Sequence, residues 1–358
     1  MLFALAPAWA STGQEGASFL DIPVGAEPAA LGSAYTAVAE NAYAPVWNPA
    51  GLAGLDVAEA SAMHTSYLES IHYDHLSGVF PLHLSDRPSA VGVALQLLGS
   101  GDIDARDENG NPTGSFSTSF GAYSLSYGQA VGERSAVGGT LKMVHEKIAD
   151  VGATAFALDL GWLFHYTPAM TFAAALSNAG TSLKLVDQSD PLPLQARVGT
   201  AWRFHPNFRI SDDLIARRNG PFANALGLEW SPAALYALRF GYNTSHTKEL
   251  GVLAGLTAGF GLRFLGQEFA YAWVPFGDLG DTHYFSLQLR FSTEPPPDRA
   301  FPELQKARLR QARGDDDFGR DETPATGYHD YGNIYDILND DEKRSLQHER
   351  HSQDRDAK

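Results

Sequence analysis

Four oxygen-bearing side chains follow one another closely in the glycine-bounded stretch 101–114, at Asp102, Asp104, Asp107 and Asn109. Acidic residues at this spacing provide the carboxylate and amide oxygens that calcium-binding loops use. The stretch lacks the glutamate that closes such a loop with a bidentate carboxylate. We therefore favour a solvated acidic surface loop over a metal site.

Histidine offers a second possible chemistry. His72 and His75, with His64 and His83 nearby, could ligate a transition metal, but no third converging ligand accompanies them in the pattern. Solvated or lumenal histidines are the more economical interpretation. The sequence also contains no G-x-S-x-G elbow, phosphate-binding P-loop or H-E-x-x-H helix. It therefore predicts no enzyme, no cofactor and no metal centre.

The composition limits the class of protein. The 358 residues carry a formal net charge of −16, which argues against a nucleic-acid partner because phosphates would be repelled. The mean hydropathy is slightly negative and no run of eighteen apolar residues occurs, so a helical membrane protein is excluded. A membrane β-barrel passes this test, because only alternate residues of its strands meet lipid.

The first ten residues, MLFALAPAWA, indicate export. They form a short apolar segment, and Ala8-Trp9-Ala10 has the small-x-small pattern of a signal-peptidase site. The basic residues that usually precede such a segment are missing, so we expect a truncated signal peptide at residues 1–10. The mature protein would then begin near Ser11. The alternative is a buried N-terminal strand.

From about residue 57 to residue 292 the chain repeats an alternating pattern. The clearest segment spans residues 155–166, AFALDLGWLFHY. One face of it carries Phe156, Leu158, Leu160, Trp162, Phe164 and Tyr166. A period of two indicates a strand with one apolar face and a second face that accepts small, polar and apolar residues alike. About fourteen such segments of ten to twelve residues occur, a length typical of tilted membrane-spanning strands.

The connections between these segments alternate in length. Every second connection is tight, at residues 85–88, 131–135, 167–168, 205–207, 231–232 and 265–266. The others include long polar loops at residues 101–114, 178–191, 244–250 and 277–281. Outer-membrane barrels have short turns at the periplasmic rim and long loops at the outer rim. A β-sandwich has no reason to sort its loops in this way.

Aromatic residues mark the strand ends beside the tight turns. They are Tyr127, Tyr166, Phe204, Trp230, Phe264 and Phe291. Amphipathic rings prefer the level of the lipid head groups, so these six predict an aromatic girdle at the periplasmic interface. A sheet in hydrocarbon cannot leave an edge unpaired, so the strands must close into a ring. The predicted fold class is all-β, a transmembrane antiparallel β-barrel of about fourteen strands at residues 57–292.

Two regions depart from the strand pattern. Residues 11–56 are rich in Gly, Ala and Pro without sustained alternation. Residues 293–358 open with three prolines, are dense in charge and contain few aliphatic residues. Such a tail buries too little apolar surface to offset the entropy of ordering it. We expect a disordered or partly helical tail, which an even number of strands returns to the periplasm.

The N-terminal block contains a distinctive set of residues: Gly16-Ala17-Ser18-Phe19-Leu20, Gly25-Ala26, Pro28, Gly32-Ser33-Ala34 and Trp47-Asn48-Pro49-Ala50-Gly51-Leu52. With these residues it resembles the opening of the PorV/PorQ family, a branch of the FadL-like outer-membrane barrels. The end of the barrel matches as well, at Val274-Pro275-Phe276-Gly277-Asp278-Leu279-Gly280 and His283-Tyr284-Phe285-Ser286-Leu287. The long acidic tail departs from the family, whose barrels usually end at the last strand.

The resemblance implies a fourteen-stranded barrel with an N-terminal hatch, residues 11–56, folded inside the lumen. In FadL-like transporters the Asn-Pro-Ala stretch of the hatch sits at the obstruction that must shift for substrate to pass. We carry this gating role to Asn48, Pro49 and Ala50, flanked by Trp47 and Gly51. Proline fixes φ and asparagine can bond its own backbone, which suits a tight turn. An equal alternative is that these residues only pin the hatch to the wall.

Charged residues within the strands fall mainly on the face away from the apolar stripe. The candidates for the lining of the lumen are Lys142, Asp159, Arg197, Arg203, Glu229, Arg239, Arg263 and Arg290. They could line a path, or they could pair with one another and with the hatch, which would make the barrel rigid. We favour pairing.

Two functions remain open at this stage. The first is hatch-gated passage of hydrophobic or amphipathic compounds across the bacterial outer membrane, with small molecules or detergent in the lumen. The second is a PorV-like adaptor of a protein secretion system of the type IX kind, which binds secretion-system or periplasmic proteins through residues 293–358. Both place the barrel in the lipid bilayer of the outer membrane and the tail in the periplasm. An enzyme acting on lipids is the least favoured interpretation.

Overall fold

The computed structural model describes residues 15–67, 71–82, 87–185, 188–233, 235–245, 247–277 and 280–291. The predicted signal peptide and tail lie outside these residues. No helix in the described ranges is long and apolar enough to cross a membrane.

The described chain is dominated by antiparallel strands. In chain order they are β1 (Glu59–Tyr67), β2 (Ile71–Leu82), β3 (Ser89–Ser100), β4 (Ile103–Arg106), β5 (Pro112–Phe116), β6 (Thr118–Ala130), β7 (Ser135–Ile148), β8 (Val151–Thr167), β9 (Met170–Gly180), β10 (Ser182–Leu185), β11 (Gln188–Pro191), β12 (Gln195–His205), β13 (Phe208–Arg217), β14 (Ala223–Ala233), β15 (Tyr236–Asn243), β16 (Leu256–Phe264), β17 (Gln267–Pro275) and β18 (Asp281–Arg290). Fourteen of them form one closed barrel, in which β1 pairs with both β2 and β18. The predicted fold class is confirmed.

The two faces of each strand follow the alternation of the sequence. On β8 the side chains of Phe156, Leu158, Leu160 and Trp162 are 40–61% exposed, whereas Asp159 between them is 1% exposed. Because side chains of a strand alternate between its faces, the large apolar residues form the outer wall. The inner wall receives the small and polar residues.

The sorting of the connections by length is present in most of the barrel. Among the exceptions, the β7–β8 connection at the long-loop rim spans only residues 149–150, and the β2–β3 connection at the tight-turn rim spans residues 83–88. Tight turns join β6 to β7, β8 to β9, β12 to β13 and β16 to β17, each over four residues or fewer. The predicted turn at Ser231-Pro232 is wrong, because β14 continues through it to Ala233, with a register shift between Trp230 and Ala233. The opposite rim carries the hairpins β4–β5 and β10–β11 and the short helix α3 (Thr247–Leu250).

Aromatic side chains gather at the tight-turn rim. Tyr127, Tyr166, Phe204, Trp230, Phe264 and Phe291 are all 38–66% exposed on the outer surface. Neighbouring rings stack along the rim, with centroids 5.7 Å apart for Phe204–Phe208 and 6.0 Å for Phe208–Trp230. The arrangement is that of an interfacial aromatic band.

Residues 15–58, which we call the N-terminal segment, pack against the inner wall. The segment has little regular structure, with the short helices α1 (Ala26–Ala30) and α2 (Ala44–Trp47) and 3₁₀ turns at Ser18–Asp21 and Pro49–Gly54. Helix α1 contacts β15–β18, and the turn Pro49–Gly54 contacts β2, β3, β6, β7 and β8. Most of the segment is buried. It therefore spans the barrel interior from one wall to the other.

The outer wall provides a test of the architecture. Replacing Leu160, which is 48% exposed in the middle of β8, by arginine is expected to cost about 2–4 kcal/mol of folding free energy in a bilayer. The matched change Tyr166→Arg at the rim is expected to cost only about 0–1 kcal/mol. Urea unfolding of both variants in phospholipid vesicles measures the difference. Equal costs at the two positions would contradict a lipid-facing wall.

Candidate functional site

The Asn-Pro-Ala stretch forms a close contact between the N-terminal segment and the barrel. The Asn48 side-chain amide donates to the carbonyls of Thr36 (3.0 Å) and Trp162 (3.2 Å), while its oxygen accepts from the Ala50 amide (3.1 Å). Asn48 therefore caps its own 3₁₀ turn and also ties the segment to β8. The bond that caps the turn and the bond that ties the segment to β8 use the same side-chain amide.

Three glycines of the inner wall make room for this stretch. We call Gly128, Gly138 and Gly161 the glycine seat. A Cβ atom on Gly161 would collide with the Asn48 side-chain oxygen and lie 2.9 Å from the Ala50 nitrogen. A Cβ on Gly138 would lie 2.6 Å from that same nitrogen. The backbone of the segment approaches the wall this closely because no side chain stands between them.

Three arginines and three glutamates form a buried cluster on the opposite wall. We call Glu27, Arg209, Glu229, Arg239, Arg263 and Glu268 the guanidinium–carboxylate cluster. Its centre is Arg239, which is 0% exposed and lies 2.8 Å from Glu229, 2.7 Å from Glu268 and 3.5 Å from Glu27. Glu27 belongs to α1, so the cluster fastens the N-terminal segment to the wall. The three positive and three negative charges of the cluster balance.

A second ion pair holds the middle of the N-terminal segment. The Asp213 carboxylate accepts hydrogen bonds from the backbone amides of Tyr35 (3.2 Å) and Thr36 (3.1 Å) and lies 3.3 Å from the Arg197 guanidinium. That guanidinium also donates to the Ser33 carbonyl (2.8 Å) and lies 4.9 Å above the Trp47 ring. Arg197 thus joins the wall to two parts of the segment.

A third ion pair lies within the wall. Lys142 is 2.8 Å from Asp159 and donates to the Asn178 side chain at 2.7 Å. Asn178 has a left-handed backbone (φ 62°), and its backbone N–H donates to the Asp159 carboxylate. The pair therefore supports the bend where β9 turns towards the β10–β11 hairpin.

The remaining predicted lumenal residues lie nearer the tight-turn rim. Arg203 is exposed near the end of β12, and Arg290 is half-exposed near the end of β18, 3.1 Å from Glu59. Arg263 is one-third exposed and pairs with Glu268 at 2.7 Å. Five of the eight candidates are thus buried and paired inside the barrel: Lys142, Asp159, Arg197, Glu229 and Arg239.

The two groups of residues that the sequence offered as possible metal ligands, in the loop 101–114 and among the histidines, make other contacts in the structure. Asp107 accepts hydrogen bonds from the backbone amides of Asn109 and Asn111 and from the Asn111 side chain, and these bonds lower the pKa of Asp107. His64 and Asp74 form an exposed pair at 2.7 Å, while His75 is buried on the inner wall. His83 lies outside the described residues. In the described ranges no three His, Asp or Glu side chains come together in a way that could hold a metal.

Several residues that fasten the N-terminal segment were not identified from the sequence. Glu27, Arg209, Asp213 and Glu268 were missed. The last three share the inner face with small residues of their strands, so the period-two pattern contains the signal. Glu27 lies in the irregular segment, where no periodicity indicates which wall a side chain will meet.

An apolar cluster fills the interior on the loop-rim side of these contacts. It combines Phe19, Tyr35 and Trp47 of the N-terminal segment with inner-wall residues such as Tyr73 and Leu98. The hairpin β10–β11 covers it, with Leu183 1% exposed. The interior thus changes from ionic contacts at the wall to an apolar zone beneath the loops.

A closed ring of fourteen strands with an apolar outer wall, an aromatic rim and an interior filled by its own N-terminal segment defines a transmembrane β-barrel. Its fold is similar to three solved barrels. They are the toluene transporter TodX of Pseudomonas putida (TM-score 0.53, 13% identity, 74% of this chain and 96% of that one), the monoaromatic hydrocarbon channel CymD (0.52, 14%, 75% and 96%) and a FadL homologue of Pseudomonas aeruginosa (0.50, 11%, 75% and 98%).

These similarities show that the chain shares its fold with a toluene transporter, a hydrocarbon channel and a FadL homologue. No protein-family model matches the chain, and the search of curated proteins gave no match. The finer resemblance to the PorV/PorQ branch therefore stays a prediction.

Proposed function

We propose that this protein lets hydrophobic or amphipathic compounds cross the bacterial outer membrane, with the N-terminal segment as the hatch that controls passage. One observation carries the proposal. The segment fills the interior of a closed barrel, fastened at the glycine seat on one side and at the guanidinium–carboxylate cluster on the other. The solved barrels of similar fold include a toluene transporter and a hydrocarbon channel.

The arrangement suggests how passage is controlled. The apolar cluster beneath the loop rim offers a dry environment for a hydrophobic compound. The route towards the tight-turn rim is filled by residues 48–54 on the glycine seat. Passage therefore requires this stretch to leave its seat, while the ionic contacts of α1 keep the rest of the segment attached. This position supports the gating role that we propose for Trp47, Asn48, Pro49, Ala50 and Gly51.

A reversible lock tests the proposal directly. The chain contains no cysteine, and Ala53 of the segment packs with Ala130 of β6 in one buried cluster. We expect Ala53→Cys combined with Ala130→Cys to form a disulfide that holds the segment in its seat. Uptake of a radiolabelled hydrocarbon into proteoliposomes should fall to the protein-free level when the pair is oxidised and return on reduction.

Each single cysteine variant serves as a control, because it carries one of the two substitutions and cannot form the disulfide. Its uptake should be the same under oxidising and reducing conditions. Unchanged uptake through the oxidised double variant would show that residues 48–54 need not move, and the gating proposal would fail.

The adaptor function depends on residues 293–358, which lie outside the described residues. It stays a prediction, as do the periplasmic position of the tail and its protein partners. Removal of the tail distinguishes the two functions, because a passage protein without it should retain uptake.

A further inference from the structure

Three polar side chains lie close together on the inner wall of β2, β3 and β6. His75 and Gln96 are directly opposite each other in register, and Ser124 is a diagonal neighbour, since it stands opposite Ala94. They are 3%, 1% and 7% exposed, respectively. We call these three residues the polar face.

The polar face has unused hydrogen-bonding capacity. Within the described residues, the Gln96 side-chain oxygen and the Ser124 hydroxyl have no hydrogen bond, and the only hydrogen-bond partner of the His75 ring is the Leu95 backbone, which leaves one ring nitrogen unpaired. The Gln96 amide nitrogen does donate, to the Tyr73 hydroxyl at 3.0 Å, which fixes the direction of the free oxygen. Buried polar atoms without partners are rare, because each costs free energy. Three such atoms, one on each of three neighbouring side chains, indicate a binding site.

The surroundings define what such a site would accept. Apolar residues of the inner wall adjoin it, with Leu98 opposite Tyr73 and Ala122 opposite Gln96. The Tyr43 ring of the N-terminal segment lies against it, 6.0 Å from the His75 ring. A compound that enters from the apolar cluster would therefore meet the polar face where the segment contacts the wall.

We propose that the polar face binds the hydrogen-bonding group of a neutral amphipathic substrate, such as a phenol or an alcohol, while its apolar part lies in the apolar cluster. This inference rests on the proposed function and narrows its substrate class. Gln96 offers an acceptor, the unpaired nitrogen of a neutral imidazole offers a donor or an acceptor, and a hydroxyl offers both. Lys142, which stands opposite Ser124 on β7, is already paired with Asp159 at 2.8 Å, so an anionic head group would be buried there without a counter-charge of its own.

The site also gives the substrate a means of favouring passage. The substrate's polar group satisfies atoms that have no partner while Tyr43 covers them, so binding competes with the packing of Tyr43 against His75. A ligand shifts a conformational equilibrium by its differential affinity for the two states. A hydroxylated compound should therefore release the segment more readily than a hydrocarbon of the same shape.

Toluene and p-cresol test this inference, because they share a ring and a methyl group and differ by one hydroxyl. Binding to the full chain in lipid nanodiscs is measured by saturation-transfer NMR titration. We expect p-cresol to bind more tightly than toluene by roughly tenfold for each hydrogen bond formed. In Gln96→Leu and His75→Phe the preference should shrink towards one, with toluene binding retained. Ser211→Ala, which removes a buried hydroxyl from the distant strand β13, should keep the full preference.

The outcomes separate this inference from the proposed function. Equal affinity of the wild-type protein for both compounds would overturn the polar face as a binding site and leave passage of hydrophobic compounds standing. If neither compound bound, both proposals would be overturned. The wild-type comparison needs no substitution, so it stands even if a variant folds poorly.

Discussion

Arg239→Met is expected to unfold at a much lower urea concentration than the wild-type protein, with a loss of about 3–5 kcal/mol in the free energy of unfolding. The Arg239 side chain is fully buried and lies within 3.5 Å of Glu27, Glu229 and Glu268. Methionine fills a similar volume but leaves three carboxylates to share the two remaining arginines, Arg209 and Arg263. Tryptophan fluorescence in detergent micelles, together with the gel mobility of unheated samples, follows the unfolding.

A second substitution separates charge from packing. Arg239→Met combined with Glu229→Gln restores equal numbers of positive and negative groups in the cluster, so part of the stability should return. Arg290→Ala is the control for loss of an arginine, because Arg290 is half-exposed and its pair with Glu59 is worth at most about 1 kcal/mol. If Arg239→Met unfolded at the wild-type urea concentration, the cluster would not hold the structure together.

Gly161→Ala is expected to displace the Asn-Pro-Ala stretch and raise the conductance of the barrel in planar bilayers. The added methyl group collides with the Asn48 side chain and lies 2.9 Å from both the Ala50 nitrogen and the Pro49 side chain. Overpacking of this kind costs about 1–3 kcal/mol in the seated state alone. When the stretch leaves its seat, this cost disappears. The equilibrium constant therefore shifts towards the unseated state by about 5- to 150-fold. Single-channel recording measures the open fraction.

Gly139→Ala is the matched control on the neighbouring strand. A Cβ there would meet its nearest atoms at 3.6 and 3.9 Å, which is ordinary contact. Its conductance should equal that of the wild-type protein. If Gly161→Ala and Gly139→Ala conducted alike, the glycine seat would not control the opening.

The fold follows from local patterns that the sequence alone contains. Alternation along β8 separates Leu158 and Leu160 from Asp159, because successive side chains of a strand point to opposite faces. Tight and long connections mark the two rims, and the rim aromatics occur at the predicted strand ends. These features depend on neighbours in the chain and on contact with lipid, so one sequence is enough to predict them. The turn at Ser231-Pro232 failed because a register shift lets proline remain within a strand end.

The contacts of the interior were decided by the tertiary structure. The sequence identified Glu229 and Arg239 as lumenal candidates, but only the closed ring brings Glu27 from a distant part of the chain to Arg239 and Arg209. Likewise, the sequence does not distinguish Gly138 and Gly161 from the other small residues of the inner face. Only the structure shows that Asn48 and Ala50 pack on them. Segment and wall are far apart in sequence and share no periodicity. Their pairing therefore depends on the shape and charge of the closed interior, which local patterns do not encode.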